Sequence, residues 1–233
     1  MENLLSILPV LATDLSLTDF TFWIGFAAML ASTMFFFSAM NMVADKWKTS
    51  MLVSALITGI AALHYYYMRN AAMEGDITTA YRYVDWILTV PLMCVEFYLI
   101  LRPSGATKSL LWKLIGLSTV MLVTGYFGEA GIGPFDAQIW GLISGIAYFA
   151  IVAEIFFGGA SKLAASAGGN VAYAHKLLCR FVLIGWAIYP IGYMAGTEGW
   201  YSGILVALRV KWMLYTTSVM LLTKSVSVLL YTT

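Results

Sequence analysis

The sequence predicts an all-α protein, a bundle of seven transmembrane helices that forms a single domain over residues 1–233. Hydrophobic residues make up 61% of the chain, charged residues make up 11%, and the mean hydropathy is +0.83. Because soluble domains carry about 25% charged residues, this composition excludes a soluble domain; the lipid bilayer is its expected partner, and nucleic acid is not. At about 20 residues per span, a chain of 233 residues accommodates about seven helices with short connections.

Residues 1–19 precede the first apolar segment. They include Glu2 near the start and contain neither lysine nor arginine. A secretory signal peptide begins with a positively charged region, so we interpret 1–19 as an external N-terminal segment. Cleavage after about Ala12 is the alternative.

Seven apolar segments follow, with bounds near 20–42, 49–69, 79–101, 108–128, 137–158, 174–196 and 205–230. The polar joints between them are short, so no linker separates domains. Cys94 and Cys179 both lie inside apolar segments. Their spacing fits neither a disulfide framework nor a metal site, and we expect both to be small core residues.

Basic residues gather at alternate ends of these segments, and acidic residues predominate at the opposite ends. The basic group comprises Lys46, Lys48, Arg102, Lys108, Lys113, Lys162, Lys176 and Arg180. Since loops rich in lysine and arginine stay in the cytoplasm, we expect the N-terminus outside and the C-terminus in the cytoplasm.

The third segment carries charge inside a stretch long enough to span a bilayer. Its sequence from residue 81 to residue 101 is YRYVDWILTVPLMCVEFYLIL. A charge at the centre of a membrane helix costs about 3 kcal/mol on insertion scales, so such residues usually have a function. At 100° per residue, Arg82, Asp85, Thr89, Met93 and Glu96 fall on one stripe of the helix.

The two acids of that stripe are 11 residues apart, or roughly 16 Å along the axis. This exceeds the ~5–10 Å of a hydrolytic carboxylate pair and suits two stations on a path through a membrane. The alternative is structural: Arg82 and Asp85 form a buried ion pair, and Glu96 extends to the interface.

Other spans contain further polar or kinked positions. His64, in LHYYYMR, is a candidate partner for a carboxylate, although a histidine at a helix end is more often interfacial or a hydrogen-bonded core residue. The string GWAIYPIGY places Trp186 and Tyr189 beside Pro190, where a kink lined by aromatic rings can form a cavity; simple core packing gives the same residues.

Lys224, in LLTKSVSVLL, lies well inside the predicted last span. A buried lysine can form a Schiff base with an aldehyde, because desolvation exposes the neutral amine. The alternative is that its long side chain extends to the cytoplasmic surface.

Several of these strings together resemble the microbial (type 1) rhodopsins, and specifically the proteorhodopsin family. The strings that carry the resemblance are FWIGFAAMLASTMFFF, KWKTS, LHYYYMR, the third-segment string, GYFGEAGI and GWAIYPIGY, which span about Phe20 to Gly196. The resemblance implies a light-driven outward proton pump, a transporter rather than an enzyme, in the inner membrane of a bacterial cell.

The resemblance also implies roles for the polar residues. Asp85 corresponds to the counterion and primary proton acceptor, and Glu96 to the cytoplasmic proton donor. Thr89 completes the family's Asp–Thr–Glu pattern. His64 matches the histidine that hydrogen-bonds the acceptor, and Arg82 matches the arginine on the exit side.

The implied cofactor is all-trans retinal, bound covalently through a protonated Schiff base to Lys224. The family's chromophore pocket maps onto seven further positions: Trp86, Met93, Met121, Tyr148, Trp186, Tyr189 and Pro190. Tyr148 stands where relatives often have tryptophan, and an apolar residue at Met93 accompanies green absorption. The resemblance further implies a ring-shaped homo-oligomer, a pentamer or hexamer, with Trp23 and His64 near the subunit contact.

The last span departs from the family pattern. Relatives carry a second counterion aspartate four residues before the lysine, whereas this chain has Met220 there, in YTTSVMLLTKSVSVLLYTT. One hypothesis is a shift of reading frame near the end of the gene that retains the lysine.

Two other functions compete with the pump. The absent second aspartate suggests a photosensor that signals to a partner protein, because a slow photocycle suits signalling. Glu96 argues against it, since sensors commonly lack a carboxylic donor. A membrane scaffold without a chromophore is the third alternative.

Overall fold

The computed structural model describes residues 17–74 and 78–201 of the chain. These residues form seven α-helices and no strand. The helices are α1 (Leu17–Ala39), α2 (Asp45–Met73), α3 (Thr79–Leu101), α4 (Lys108–Ala130), α5 (Ala137–Phe157), α6 (Gly159–Ala167) and α7 (Gly169–Gly196), and a 3-10 turn at Arg102–Ser104 follows α3.

Six of the helices in the described residues are long and apolar enough to cross a membrane. This confirms the predicted fold class and its first six spans. The predicted last span, 205–230, lies outside the described residues and stays a prediction. Large apolar side chains such as Met34, Leu63 and Ile184 are exposed, as expected for helices that contact lipid.

The helices pack in chain order, α1 on α2, α2 on α3, α3 on α4 and α4 on α5, and α7 returns to contact α5 and α3. The largest buried cluster lies between α3, α4, α5 and α7. A second cluster joins α1 to α2, where the helices approach closely at a glycine. A Cβ at Gly25 would lie 2.9 Å from Cδ1 of Tyr65, so only glycine fits beside this buried ring.

The polar joint predicted between the fifth and sixth segments contains a short helix, α6, which the sequence analysis did not predict. Helix α6 is rich in alanine and buries Ala160 and Ala164, one turn apart, against the main cluster. Oε1 of Glu154 accepts a hydrogen bond of 2.8 Å from the N–H of Gly159 and so satisfies a free donor at its start. Gly168, at φ +62°, ends the helix.

Candidate functional site

Helix α3 buries both of its predicted functional acids. Asp85 is 0% exposed and Glu96 is 5% exposed, and Thr89 between them is also fully buried. The hydroxyl of Thr89 donates a 2.8 Å hydrogen bond to the backbone carbonyl of Asp85. The predicted stripe therefore faces the interior of the bundle, and Glu96 does not extend to the interface.

Asp85 lies beside His64 of α2. Nδ1 of His64 is 4.0 Å from Oδ1 of Asp85, beyond hydrogen-bond distance, and 2.9 Å from the carbonyl oxygen of Ile60. The ring therefore donates from Nδ1 to the carbonyl one turn earlier. The resemblance implied a direct hydrogen bond between His64 and the acceptor; the structure instead has the two side chains adjacent, with the backbone as the partner of Nδ1.

Arg82 forms its ion pair with Glu129 of α4, rather than the Arg82–Asp85 pair of the structural alternative. Nη2 of Arg82 also donates to the hydroxyl of Thr79 at 3.0 Å, and that hydroxyl donates to Oε1 of Glu129 at 3.2 Å. The guanidinium lies 5.8 Å from the ring centre of Trp86. A charged network that joins α3 to α4 therefore sits one turn from Asp85.

Two serine hydroxyls of α2 bind Glu96. The hydroxyl of Ser50 donates to Oε2 at 2.5 Å, and the hydroxyl of Ser54 donates to Oε1 at 2.6 Å. Both serines are fully buried on α2, four residues apart, and therefore on one face of the helix. We call Ser50 and Ser54 the serine pair. The structure gives each carboxylate oxygen of Glu96 a hydroxyl donor that the sequence analysis did not predict.

An apolar cavity of about 430 Å³ lies between α3, α4, α5 and α7. Its wall includes all seven of the predicted pocket residues that the structure describes: Trp86, Met93, Met121, Tyr148, Trp186, Tyr189 and Pro190. The α3 wall runs from Tyr83 to Met93. Along α3, Asp85 therefore lies level with the start of this wall, and Glu96 lies about one turn beyond its end.

The helices hold the cavity wall in place through aromatic and polar contacts. The rings of Trp86 and Tyr189 meet edge to face with centroids 4.9 Å apart, which joins α3 to α7. The hydroxyl of Tyr148 donates to the carbonyl oxygens of Leu183, at 3.0 Å, and Val182, at 3.2 Å. These contacts join α3 to α7 and α5 to α7 beside the cavity.

The remaining predicted residues lie apart from the cavity or outside the described chain. Trp23, on α1, is 47% exposed and packs against the guanidinium of Arg69, with 5.5 Å between Arg69 Cζ and the ring centre. Lys224 and Met220 lie outside the described residues. Cys94 and Cys179 are both buried with free thiols, as predicted for core residues.

Sequence reasoning missed three polar residues of this site: Glu129, Ser50 and Ser54. Glu129 lies within GYFGEAGI, but the sequence offers no signal of its partner 47 residues away. The serine pair does have a signal, since two hydroxyl residues four apart in an apolar span occupy one helix face.

The chain matches known proteins over most of its length. Residues 16–217 match the family described as bacteriorhodopsin-like protein. That match ends before Met220 and Lys224, the part of the sequence that departs from the family pattern.

Individual relatives agree with the family match. The chain is 46% identical over 189 residues to a green-light absorbing proteorhodopsin of Gamma-proteobacterium EBAC31A08, covering 78% of this chain and 75% of the relative. It is 44% identical to a blue-light absorbing proteorhodopsin of Gamma-proteobacterium Hot 75m4, covering 78% and 74%. The crystal structure of a blue light-absorbing proteorhodopsin from Med12 superimposes with a TM-score of 0.74 at 38% identity, over 92% of this chain and 96% of that one.

These similarities agree with the fold and with the two buried acids of α3 beside an apolar cavity. The chain belongs to the bacteriorhodopsin-like family of microbial rhodopsins and, within it, to the proteorhodopsins.

Proposed function

We propose that this protein is a green-absorbing, light-driven pump that moves protons outward across the membrane. One observation carries the proposal: α3 buries Asp85 near the start of its stretch of an apolar cavity wall and Glu96 about one turn beyond the end of that stretch. Buried acids at two depths of a membrane helix provide two sites that exchange protons, and the cavity between them provides the place for a light-absorbing group.

The residues present fit retinal, the chromophore of this family. The cavity volume of about 430 Å³ falls in the range of about 300–1,000 Å³ that is usual for small-molecule sites. Aromatic and thioether side chains of the wall would hold the all-trans polyene, namely Trp86, Trp186 and Tyr189 with Met93, Met121, Tyr148 and Pro190. Lys224 would attach it covalently.

When bound, retinal supplies light absorption and, at the nitrogen that links it to the lysine, a site for the transported proton. Asp85 is placed to receive a proton on a carboxylate oxygen. Arg82 lies one turn away on α3, and Nδ1 of His64 lies 4.0 Å from Oδ1 of Asp85. Thr89 fixes the backbone at Asp85 through its 2.8 Å hydrogen bond.

Glu96 is placed to hold a proton and then release it toward the cavity. In this role Glu96 holds its proton at rest. The serine pair supplies two donors that stabilise the carboxylate after release. A proton moved out against about 100 mV stores about 2.3 kcal/mol.

Light-driven acidification of the medium tests the proposal. Cells that contain the protein and retinal, suspended in weak buffer, should acidify the medium under green light, and a protonophore should abolish the change. A purified pigment that forms but moves no protons across a vesicle membrane would contradict the pump.

Lysine substitution tests the attachment site separately. Lys224→Ala should abolish the visible absorption band, and Lys211→Ala, which removes the other lysine of the C-terminal region, should retain it. A stable pigment in Lys224→Ala would show that another residue is the attachment site.

A photosensor is the second candidate, and the similarity to proteins named proteorhodopsins favours the pump over it. The buried, serine-bound Glu96 also favours a pump, because it provides a proton donor that a sensor does not need. Flash photolysis separates the two, since recovery within tens of milliseconds supports a pump and recovery over seconds supports a sensor.

The surroundings of the protein follow from its family. We expect the inner membrane of a bacterial cell and a homo-oligomer, a pentamer or hexamer, with Trp23 and His64 near the subunit contact. The exposed ring of Trp23 supports this assignment. Native mass spectrometry should detect smaller assemblies for Trp23→Ala, and an unchanged oligomer would reject the role of this residue.

A further inference from the structure

The two serines that bind Glu96 lie at different depths along α2. Ser50 is five residues from Asp45, the first residue of the helix, or about 7.5 Å along the axis. The side chain of Asp45 is 93% exposed. Ser54 lies one turn deeper, about 6 Å further into the bundle. The serine pair therefore has a solvent-side member and an interior member.

Among the described residues, apolar side chains pack around α3 beyond Glu96. Ile100 and Leu101, in the next turn toward the end of α3, are buried. They pack in the main cluster with Leu110 and Leu114 of α4. A proton that arrives from this end of the bundle thus meets apolar side chains beside α3 and α4, and a hydroxyl beside α2.

We propose that the two serines have different roles toward Glu96. Ser50 relays protons to it from the cytoplasmic side, and Ser54 positions and stabilises its carboxylate. The inference rests on the proposed pump, because it assigns the route that refills the internal proton donor. The contact of 2.5 Å between Oγ of Ser50 and Oε2 carries it, together with the short distance from Ser50 to the exposed start of α2.

The relay step conserves atoms and charge. Oγ of Ser50 accepts a proton from a protonated water on the cytoplasmic side as its own proton passes to Oε2 of Glu96. The O–H bond of Ser50 is broken and remade, so Ser50 ends unchanged and Glu96 changes from −1 to neutral. Ser54, at 2.6 Å from Oε1, keeps the carboxylate oriented so that Oε2 stays toward Ser50.

Time-resolved infrared spectroscopy of the complete pigment tests these two roles of Ser50 and Ser54. The C=O band of the Glu96 carboxylic acid, assigned by its loss in Glu96→Gln, disappears on proton release and returns on uptake. Ser50→Ala should slow the return of the band about tenfold and change its disappearance by less than about twofold, and Ser50→Thr should restore the return. Ser54→Ala should have the opposite effect, with a slower disappearance.

Three further measurements keep the test decisive. In retinal-free membranes, Ser54→Ala should shift the static C=O band of Glu96, because one hydrogen bond to the carboxyl is lost. Ser118→Ala, which removes a buried hydroxyl of α4 bonded to the carbonyl of Ile115 at 2.9 Å, should change neither rate. If Ser50→Ala forms no pigment, Ser50→Cys keeps the volume with a weaker donor and carries the same expectation.

The failure of this inference is distinct from the failure of the pump. If the unmodified protein acidifies the medium but the Glu96 band returns at the normal rate in Ser50→Ala, the relay is wrong and the proposed pump is unaffected. Equal slowing of the disappearance and the return of the band by each serine variant also contradicts the separate roles of Ser50 and Ser54. If the unmodified protein moves no protons, the proposed function fails first.

Discussion

The two ends of α3 hold the same functional group in opposite surroundings. Near its start, Asp85 has His64 at 4.0 Å and the ion pair between Arg82 and Glu129 one turn away. Toward its other end, Glu96 accepts hydrogen bonds from two serine hydroxyls. Titratable and charged groups surround the Asp85 end, whereas the two hydroxyls that bind Glu96 are neutral.

This difference matches the separate roles that we propose for the two acids. Asp85, beside His64 and the charged network, is the proposed proton acceptor. Glu96, bound by the serine pair, is the proposed proton donor. The proposed movement of protons runs from the Glu96 end of α3 to the Asp85 end.

Removal of the charge at the Asp85 end should have the largest effect. Asp85→Asn leaves no carboxylate to accept the proton, and we expect light-driven acidification to fall by at least about 10²-fold. Asp136→Asn changes an exposed acid at the start of α5 and should leave the rate unchanged. Substantial pumping by Asp85→Asn would overturn the assignment of the acceptor and, with it, the asymmetry between the two ends.

Removal of the acid at the other end should slow the pump without abolishing it. In Glu96→Gln the proton must come from bulk water, so turnover should fall about 10²-fold and should decrease further with rising pH, about tenfold per unit. The measurement is the initial acidification rate at several pH values. Glu74→Gln, an exposed position after α2, is the matched control. A rate that does not depend on pH in Glu96→Gln would mean that another internal donor acts.

The sequence was sufficient for the features that depend on spacing within one helix. The stripe of Asp85, Thr89 and Glu96 follows from the 3.6-residue period, and charge inside an apolar span is visible without a structure. The six spans and the seven pocket residues around one cavity also agree with expectations drawn from the sequence and its family resemblance.

Partners across helices could not be derived from the sequence. Arg82 could pair with Asp85 of its own helix or with Glu129 of α4. The relative rotation of α3 and α4 brings it to Glu129. His64 could donate to a side chain or to a backbone carbonyl, and the carbonyl of Ile60, one turn earlier on the same helix, is the partner at 2.9 Å. Helix α6 was missed because a segment of small residues fits a linker as well as a helix that packs closely.

The ion pair at the Asp85 end should contribute to stability as well as to charge. Glu129→Gln leaves Arg82 partly buried without its carboxylate, and we expect a loss of about 1–3 kcal/mol in the free energy of unfolding. The loss should appear as a lower temperature of thermal bleaching of the pigment.

The ion pair of Lys113 and Glu154 provides the matched comparison away from α3. The side chain of Lys113 is 57% exposed, so Lys113→Gln should cost about 1 kcal/mol or less. If Lys113→Gln destabilises the protein more than Glu129→Gln does, the charged network near Asp85 is not a principal support of the bundle.

The smallest expected effect on proton transport lies between the two acids, at Met93 in the cavity wall. Met93→Gln places an amide dipole beside the chromophore, whose charge distribution changes on excitation, and we expect absorption to shift to the blue. Met93→Leu, which stays apolar, should keep the green band. Because neither variant changes Asp85 or Glu96, pumping per absorbed photon should stay within about twofold of the unmodified protein. A large loss of pumping in Met93→Leu would show that the cavity wall between the two acids does more than tune the absorption maximum. The difference between the surroundings of Asp85 and Glu96 would then not be sufficient to explain the direction of transport.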